Sequence, residues 1–463
     1  MPIITSSLFV SLLVFLMEFP FQNDAQAKAQ GLEAVLKGLS ARGTQVSAEI
    51  VNLTNSRELL KVNPETPLNP ASSVKLFTAY VALSRLGIHH AFKTKVYQIQ
   101  DESLCVKGGG DPSFVMEDLY LLVQGLKRKG LSSYSGRITL DASVFDDEFY
   151  PEDRSDQDSE RAYNAPIAGL NFNYNTISVF VNPTTKGKPA RVGLDFPFDF
   201  VKVQGKVLTS GATEVTWDKT GKGDLEIVHL GGKISENAPE WRKPFRIRKP
   251  ARAFGEALAL MLEKEGVRPK GGVSLKEGTC ISSEGAFYEY ESKPLSFIVH
   301  LMNKYSNNFI ADSLVKALDH EVNRRAGTAD GGLKFMRTEL QKIGIPTESK
   351  GRVLVSGSGL TLGNRMSASD FTKLLRQVHK EKALLPEMFA SLPVAAIDGT
   401  LKRKYKETAV AQLLRGKTGS LTGVQSLVGV YPNSEGEWLG VSIIVNGGSG
   451  IPEAELARFL GAH

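Results

Sequence analysis

Cysteine is nearly absent from this chain: its 463 residues hold two, Cys105 and Cys280. A chain this long with two thiols must rest on apolar cores rather than on cross-links. Whether the two pair or lie apart as buried thiols stays open, because pairing needs Cα atoms within bridging distance. The seven histidines include no HExxH motif and no close ligand pair. A zinc enzyme is therefore disfavoured, and neither a metal nor another cofactor is expected. Beyond the first thirty residues no run approaches the length of a membrane-crossing helix. Internal repeats and long low-complexity tracts are missing as well. Neither charge dominates: 56 Lys and Arg stand against 50 Asp and Glu, a formal net charge of +6 at pH 7. Such a surplus suits peripheral contact with the anionic polymers of a cell envelope. It is too small to argue for nucleic acid, and no nucleic-acid motif accompanies it.

What is present begins with an apolar run, Ile3 to Met17, broken by Glu18, Pro20 and Asp24 and followed by Ala25-Gln26-Ala27. The run is short for a bilayer, and small residues at −3 and −1 fit signal-peptidase cleavage after Ala27. A signal peptide over residues 1–27 is expected, with export of the remainder to the periplasm or cell envelope. Met1 to Ser7 contain no Lys or Arg, which keeps an uncleaved anchor as the alternative. The length allows roughly two to four domains.

Alternating residues predict a hairpin of strands Val46–Leu53 and Glu58–Val62. Asn69-Pro70 then predicts a helix start, with Val74, Phe77, Leu83 and Leu86 at helical spacing up to Gly87. From His90 to Lys243 the texture changes to short strand-like runs cut by Gly, Pro and Asp turns. Lys95–Gln98, Arg137–Leu140, Thr176–Val181 and Val201–Leu208 are examples. Helical texture returns over Ala251–Glu265 and Leu295–His320. Strands Val424–Tyr431 and Trp438–Val445 and a closing helix, Pro452–Leu460, complete the pattern. The prediction is an α/β (α+β) sandwich, an antiparallel sheet flanked by helices, in which N- and C-terminal segments share the sheet. Residues 28–92 and 244–463 would form this discontinuous domain, and 93–243 a largely β insert of one domain or two subdomains.

The insert carries an acidic stretch, Asp146 to Glu160, with eight Asp or Glu in fifteen residues. It reads as a solvated loop, or else as an anionic patch in which Asp147, Asp153 or Asp156 receives a substrate amine. A basic stretch at the insert's exit holds Arg242, Lys243, Arg246, Arg248, Lys249 and Arg252. It reads first as an exposed connection and second as a contact to anionic polymer.

Three short motifs carry the chemistry: Ser72-Ser73-Val74-Lys75, Ser306-Asn307-Asn308 and Lys417-Thr418-Gly419. Ser-x-x-Lys puts a hydroxyl and an amine one helical turn apart on one face. At a helix start, free N–H groups and the dipole also favour developing negative charge. Ser-x-Asn adds a second hydroxyl and an amide, and Lys-Thr-Gly a cation and a hydroxyl. In this order the set describes a serine acyl-transfer site. Ser-x-x-Lys alone would arise about once or twice by chance in a chain this long, so order and context carry the assignment. Tyr305-x-Asn307 is a competing register of the second motif; the flanking Asn303-Lys304 favours Ser306-x-Asn308.

With their surroundings these motifs resemble the low-molecular-mass penicillin-binding proteins of the D-alanyl-D-alanine carboxypeptidase/endopeptidase type with a large inserted domain, the type-4 group. The resembling segments are Pro70–Lys75, Gly108-Gly109-Gly110-Asp111-Pro112, Met302–Asn308, Gly357-Ser358-Gly359-Leu360, Asp398-Gly399-Thr400-Leu401 and Gly416–Leu421, across about residues 30 to 460. The resemblance implies a serine transpeptidase/β-lactamase-like fold and an acyl-enzyme on Ser72. Lys75 would be the general base, Ser306 would pass a proton to the leaving amine, and Asn308 would hold the substrate amide and orient Lys75. Lys417 and Thr418 would bind the terminal carboxylate, and the backbone N–H groups of Ser72 and Ser420 would form the oxyanion hole. The implied activity is a D-alanyl-D-alanine carboxypeptidase that can also cleave D-alanyl cross-links as an endopeptidase; the implied partners are peptidoglycan stem peptides ending in D-Ala-D-Ala, with β-lactams as covalent inhibitors, and the insert leaves substrate gating, wall contact or a homodimer open.

Two departures from the family pattern stand out, Ser356 in place of an Asp and Leu362 in place of an Arg that would suit a substrate carboxylate. Thr422 also stands where some members carry Gln. The alternatives are a β-lactamase or esterase on the same site, or a non-catalytic peptidoglycan-binding protein. A class A β-lactamase would carry its deacylating Glu in a Glu-x-x-Leu-Asn segment, and no such segment is expected here. The intact Ser72, Lys75, Ser306, Asn308 and Lys417 argue against the idle binder.

Overall fold

The structure, a computed structural model, describes residues 31–151, 159–282, 285–448 and 450–463. The expected leader, residues 1–27, and two of the proposed amine acceptors, Asp153 and Asp156, lie outside the described residues. The chain divides into two compact units. The first takes residues up to Ile88, Val299–Asn307 and Leu333–His463; the second takes His89–Ile298 and Asn308–Gly332.

The first unit is built on five antiparallel strands. Gln45–Asn52 (β1) and Glu58–Val62 (β2) form the expected hairpin, and Arg415–Leu421 (β3), Val424–Pro432 (β4) and Trp438–Asn446 (β5) complete the order β3-β4-β5-β1-β2. β1 pairs with β5 from Gln45↔Asn446 to Asn52↔Leu439, so both ends of the chain meet at the sheet centre. Alternation assigns the faces. Val46, Ala48 and Ile50 of β1 and Leu439, Val441, Ile443 and Val445 of β5 share one core. Leu32, Leu36 and Leu39 from the helix at 31–41 and Leu456, Phe459 and Leu460 from the helix Glu453–Leu460 close it. The opposite face is covered by the helix Ala368–Lys380 and the turn Ala71–Val74. There Glu49 accepts from Thr372 Oγ1, Ser47 Oγ accepts from the Ala368 N–H at 3.0 Å, and Phe77 stacks on Phe371 with centroids 4.6 Å apart. Helices on both faces of an antiparallel sheet are the sandwich that the sequence predicts.

The second unit holds a mixed five-stranded sheet in the order Ser274–Glu277, Arg137–Asp141, Leu104–Lys107, Lys93–Gln98, Tyr288–Glu291. Smaller sheets join Leu208–Ser210, Leu225–Ser235, Glu214–Lys222 and Val201–Gly205, and Trp241–Arg246, Thr176–Asn182 and Arg191–Leu194. The run Val201–Leu208 is thus two strands, broken where Gly205 takes φ 96°. The helix Met116–Arg128 is absent from the β reading, although Leu119, Leu122, Val123 and Leu126 mark a buried face at helical spacing. The unit also runs past residue 243. Ser274–Glu277 pairs with Arg137–Leu140 and Tyr288–Glu291 with Lys93–Val96, so strands after residue 243 belong to the same sheet as strands within 93–243. Cys105 and Cys280 are joined, their Cα atoms 5.6 Å apart, which resolves the open alternative in favour of a bridge.

Most of the basic stretch is not an exposed connection, because its charges are used internally. Arg246, at 5 % exposure, and Arg248 both pair with Glu160, which also takes Lys219 Nζ at 2.6 Å. Lys249 pairs with Asp224, Arg252 with Glu256, and Lys243 lies over the Trp217 ring. The acidic stretch is used in part too: besides Glu160, Asp146 pairs with the buried Lys316.

The Gly108–Pro112 loop buries Asp111, whose Oδ1 accepts from the Ser113 N–H at 2.8 Å and its hydroxyl at 2.7 Å. Burial pushes this carboxyl up to about 6, and the Ser113 hydrogen bonds only partly oppose it. A carboxyl that holds its proton more tightly folded than unfolded costs stability as pH rises from 3.8 through about 6, and the cost persists above. Asp111→Asn keeps an oxygen acceptor without the charge. It should raise stability by roughly 3 kcal/mol at pH 7.5, with the gain vanishing below pH 4. Thermal melts across that range check this; a variant less stable than wild type at pH 7.5 would refute it.

Candidate active site

Ser72 lies in a 3₁₀ turn, Ala71–Val74, directly ahead of the α-helix Lys75–Leu86. The sequence predicts one continuous helix from Asn69-Pro70. Ala71 prevents it by taking φ 46°, in the left-handed region. The tight turn compensates, because residues i and i+3 eclipse in 3₁₀ winding. Lys75 Nζ accordingly donates to Ser72 Oγ at 3.0 Å, and also to the Ser358 carbonyl. Lys75 is fully buried, whereas Ser72 stays partly exposed.

The turn is clamped from all sides. Asn69 Oδ1 accepts from the Ala71 N–H at 2.8 Å, and Asn69 exchanges two hydrogen bonds with the Asn446 side chain, at 2.9 and 3.0 Å. Ser426 Oγ donates to the Pro70 carbonyl at 2.6 Å and meets Ser73 Oγ at 2.7 Å. Two glycines allow the close approach. A β-carbon on Gly419 would sit 2.4 Å from the Pro70 carbonyl oxygen and 3.0 Å from the Ser72 nitrogen; one on Gly359 would sit 2.1 Å from the Ala71 oxygen. Ser356, where the family pattern has Asp, accepts from the N–H groups of Ser358 at 3.2 Å and Gly359 at 3.1 Å. The shorter side chain still holds this loop. Leu362, in place of the Arg, is 60 % exposed.

Ser306 follows the helix Leu295–Tyr305 with φ 55°, a conformation uncommon for a residue with a side chain. Its Oγ accepts from Lys417 Nζ at 2.8 Å. Lys417 sits on the edge strand β3, fully buried, and also donates to the Thr418 carbonyl at 2.6 Å. Burial holds its ammonium well below the usual lysine range, and the neighbouring Lys75 charge pushes the same way. Thr418 Oγ1 donates to Thr400 Oγ1 at 2.7 Å. Thr400 is placed by Asp398, which accepts from Lys304 Nζ at 2.6 Å and from the Val394 N–H at 2.8 Å. That pair joins the Asp398–Leu401 loop to the helix that presents Ser306.

The structure thus brings Ser72, Lys75, Ser306, Lys417 and Thr418 together. A groove of about 280 Å³ is lined by Ser72, Ser306, Thr418 and Ser420. Asn308 opens the helix Asn308–Asn323, which belongs to the second unit, so the Ser306-x-Asn308 motif straddles the division. Tyr305 is 70 % exposed and is not among the groove residues. Ser306→Ala should therefore slow acylation by about 10²-fold or more, and Tyr305→Phe by less than about threefold. The opposite ranking in a penicillin-acylation assay would favour the tyrosine register. Sequence reasoning assigned no role to Thr400, Asn69, Asn446 or Ser426. Thr400 lies in one of the resembling segments, Asn69 reads only as part of a helix start and Ser426 only as part of a strand, because their pairings at the site are ones that linear sequence does not display. Contrary to the expectation that the segment is missing, a Glu-x-x-Leu-Asn sequence occurs ahead of Ser72, at Glu65–Asn69. Its Glu65 side chain is 64 % exposed and pairs with Arg352 at 2.6 Å, outside the groove. Among the described residues no group of three or more His, Cys, Asp or Glu could hold a metal ion.

Comparison with known proteins agrees with this geometry. The family described as D-Ala-D-Ala carboxypeptidase 3 (S13) matches residues 28–458. A D-alanyl-D-alanine carboxypeptidase of Actinomadura sp. (strain R39) is 31% identical over 447 residues, covering 91% of this chain and 81% of that protein. The D-alanyl-D-alanine carboxypeptidase DacB of Haemophilus influenzae is 26% identical over 421 residues, covering 88% of this chain and 86% of its own length. Among solved structures, penicillin binding protein 4 from Haemophilus influenzae superposes with a TM-score of 0.76 at 24% identity, over 92% of this chain and 97% of that one. That likeness bears on the fold. The family match spans nearly the whole chain, so the chain belongs to the D-Ala-D-Ala carboxypeptidase 3 (S13) family and is a serine-type peptidase.

Proposed function

We propose that the groove removes the terminal D-alanine from peptidoglycan stem peptides through an acyl-enzyme on Ser72. One observation carries this: two serines line the same groove and each meets a buried lysine behind it, Ser72 with Lys75 at 3.0 Å and Ser306 with Lys417 at 2.8 Å. Ser72 Oγ attacks the carbonyl of the penultimate D-alanine and gives its proton to neutral Lys75. The backbone N–H groups of Ser72 and Ser420 face the developing oxyanion. The C–N bond then breaks, Ser306 passes a proton to the leaving amine, and water hydrolyses the ester on Ser72.

The terminal carboxylate binds Lys417 and Thr418, and this settles which lysine carries the charge. Empty, Lys417 is held toward its neutral form by burial and by Lys75. A bound carboxylate favours charged Lys417, whose field then keeps Lys75 neutral and basic. β-Lactams, which present a cyclic amide and a carboxylate, acylate the same serine. Export to the periplasm or cell envelope is supported by the apolar leader and by the Cys105–Cys280 bridge, since disulfides persist in oxidising compartments. No helix among the described residues is long and apolar enough to cross a membrane.

D-Alanine release from a stem peptide with a free C-terminus, compared with its C-terminal amide, tests this reading. The amide should lose about 10²-fold or more in kcat/KM. Equal rates would remove Lys417 and Thr418 from carboxylate binding, and fast penicillin turnover without D-alanine release would favour a β-lactamase.

A further inference from the structure

The Gly108–Pro112 loop takes no part in the catalytic groove, yet its first two glycines line a second cavity. This cavity, of about 650 Å³, lies wholly within the second unit. A β-carbon on Gly109 would sit 2.5 Å from the Lys93 carbonyl oxygen, and one on Gly108 2.1 Å from the Gly169 oxygen. Bare backbone therefore lets the loop lie flat against the strand Lys93–Gln98. Lys107, the residue before the loop, is the direct cross-strand partner of Lys95, and both line the cavity. Directly opposed residues have Cβ atoms roughly 5 Å apart, so two like charges there repel and cost stability.

The nearby carboxylates do not relieve that repulsion. The wall holds four cations, Lys93, Lys95, Lys107 and Arg324, against two carboxylates, Glu291 and Glu321. Glu321 is taken by Arg324 at 2.8 Å and Glu291 by Lys93 at 3.1 Å. Lys95 shares Glu289 with Lys93, at 3.3 and 2.6 Å. Lys107 makes no ion pair among the described residues. Asp141, its neighbour on the next strand, spends its carboxylate on the N–H groups of Ser143 at 3.0 Å and Cys280 at 2.9 Å. Three of the seven histidines, His89, His90 and His320, add ring nitrogens to the wall, and His90 Nε2 has no hydrogen-bond partner among the described residues. We infer that this cavity binds a phosphoryl anion. Ammonium groups from two strands suit a tetrahedral oxyanion, whereas a planar carboxylate is better matched by an arginine fork, and Arg324 is engaged by Glu321. An anion between Lys95 and Lys107 replaces their repulsion with attraction. The volume is that of an ordinary small-molecule site, so it also has room for an organic group that carries the phosphate.

Titration calorimetry and thermal melts test this with inorganic phosphate, a hexose 6-phosphate, the unphosphorylated hexose and succinate. Wild type should bind both phosphates saturably, one per chain, and each should raise its melting temperature. Lys107→Gln and Lys95→Gln should each weaken phosphate binding about tenfold, the loss of one charge-assisted contact. Without phosphate, Lys107→Gln should melt no lower than wild type, because the opposed charges are gone. Its penicillin acylation should be unchanged, which verifies that the chain is folded. Tighter binding of the hexose phosphate would support the site and make a sugar-borne phosphate its ligand; equal affinities would support it and make free phosphate the ligand. No saturable binding to wild type, or unchanged affinity in either variant, would overturn the proposal. So would succinate or the bare hexose binding as tightly as the phosphates.

Discussion

Ser72→Ala should fold normally and lose acylation, with D-alanine release and penicillin labelling falling about 10³-fold or more. The fold should survive because the clamp on the turn does not use the Ser72 hydroxyl. Asn69, Ser73, Ser426 and Asn446 hold the backbone, and Gly419 and Gly359 admit the neighbouring segments. The loss should be near complete because the partly exposed Ser72 hydroxyl is the one that Lys75 is placed to deprotonate. Substrate binding at Lys417 and Thr418 should persist, so the variant should still bind a D-Ala-D-Ala peptide. Covalent adduct on Ser72→Ala would place the nucleophile elsewhere.

Lys75→Met should cut acylation about 10²–10⁴-fold, the span expected for loss of a positioned general base. Its pH profile should separate this role from a structural one. In wild type the acylation rate should rise with pH as the lysine pair sheds a proton; in the variant that dependence on Lys75 should be gone. Stability moves for a different reason. Lys417 is penalised when charged, so the folded state binds fewer protons than the unfolded one between its depressed pKa and the usual lysine range, and stability rises with pH there. Removing Lys75 deletes one of the two causes and leaves the larger, burial. The stability rise should shrink without disappearing, and the melting temperature at neutral pH should not fall below that of wild type. A melt far below wild type would show that Lys75 holds the turn together and would undo the inference from its kinetics.

The parts of the fold legible in the sequence were those set by local periodicity. The β1–β2 hairpin, the β4–β5 pair and the closing helix follow from alternation and helical spacing. The second unit was harder. Arg137–Asp141 neighbours Ser274–Glu277, a contact between distant segments that no local pattern announces, and so the division falls well past residue 243. Met116–Arg128 was legible but hidden among turn-rich strands. At the site, the motif residues were legible because each motif keeps its groups a few residues apart. The 3₁₀ turn was not, since Ala71 at φ 46° has no compositional sign. Nor was the basic stretch's fate, because Glu160 and Asp224 reach it only through folding.

The central claim is that Ser72 carries the acyl group, and intact-mass analysis followed by peptide mapping of penicillin-treated wild type tests it most directly. One adduct on the peptide containing Ser72, formed as D-alanine release is lost, is the predicted result. An adduct on another residue, or loss of activity with Ser72 unmodified, would contradict it.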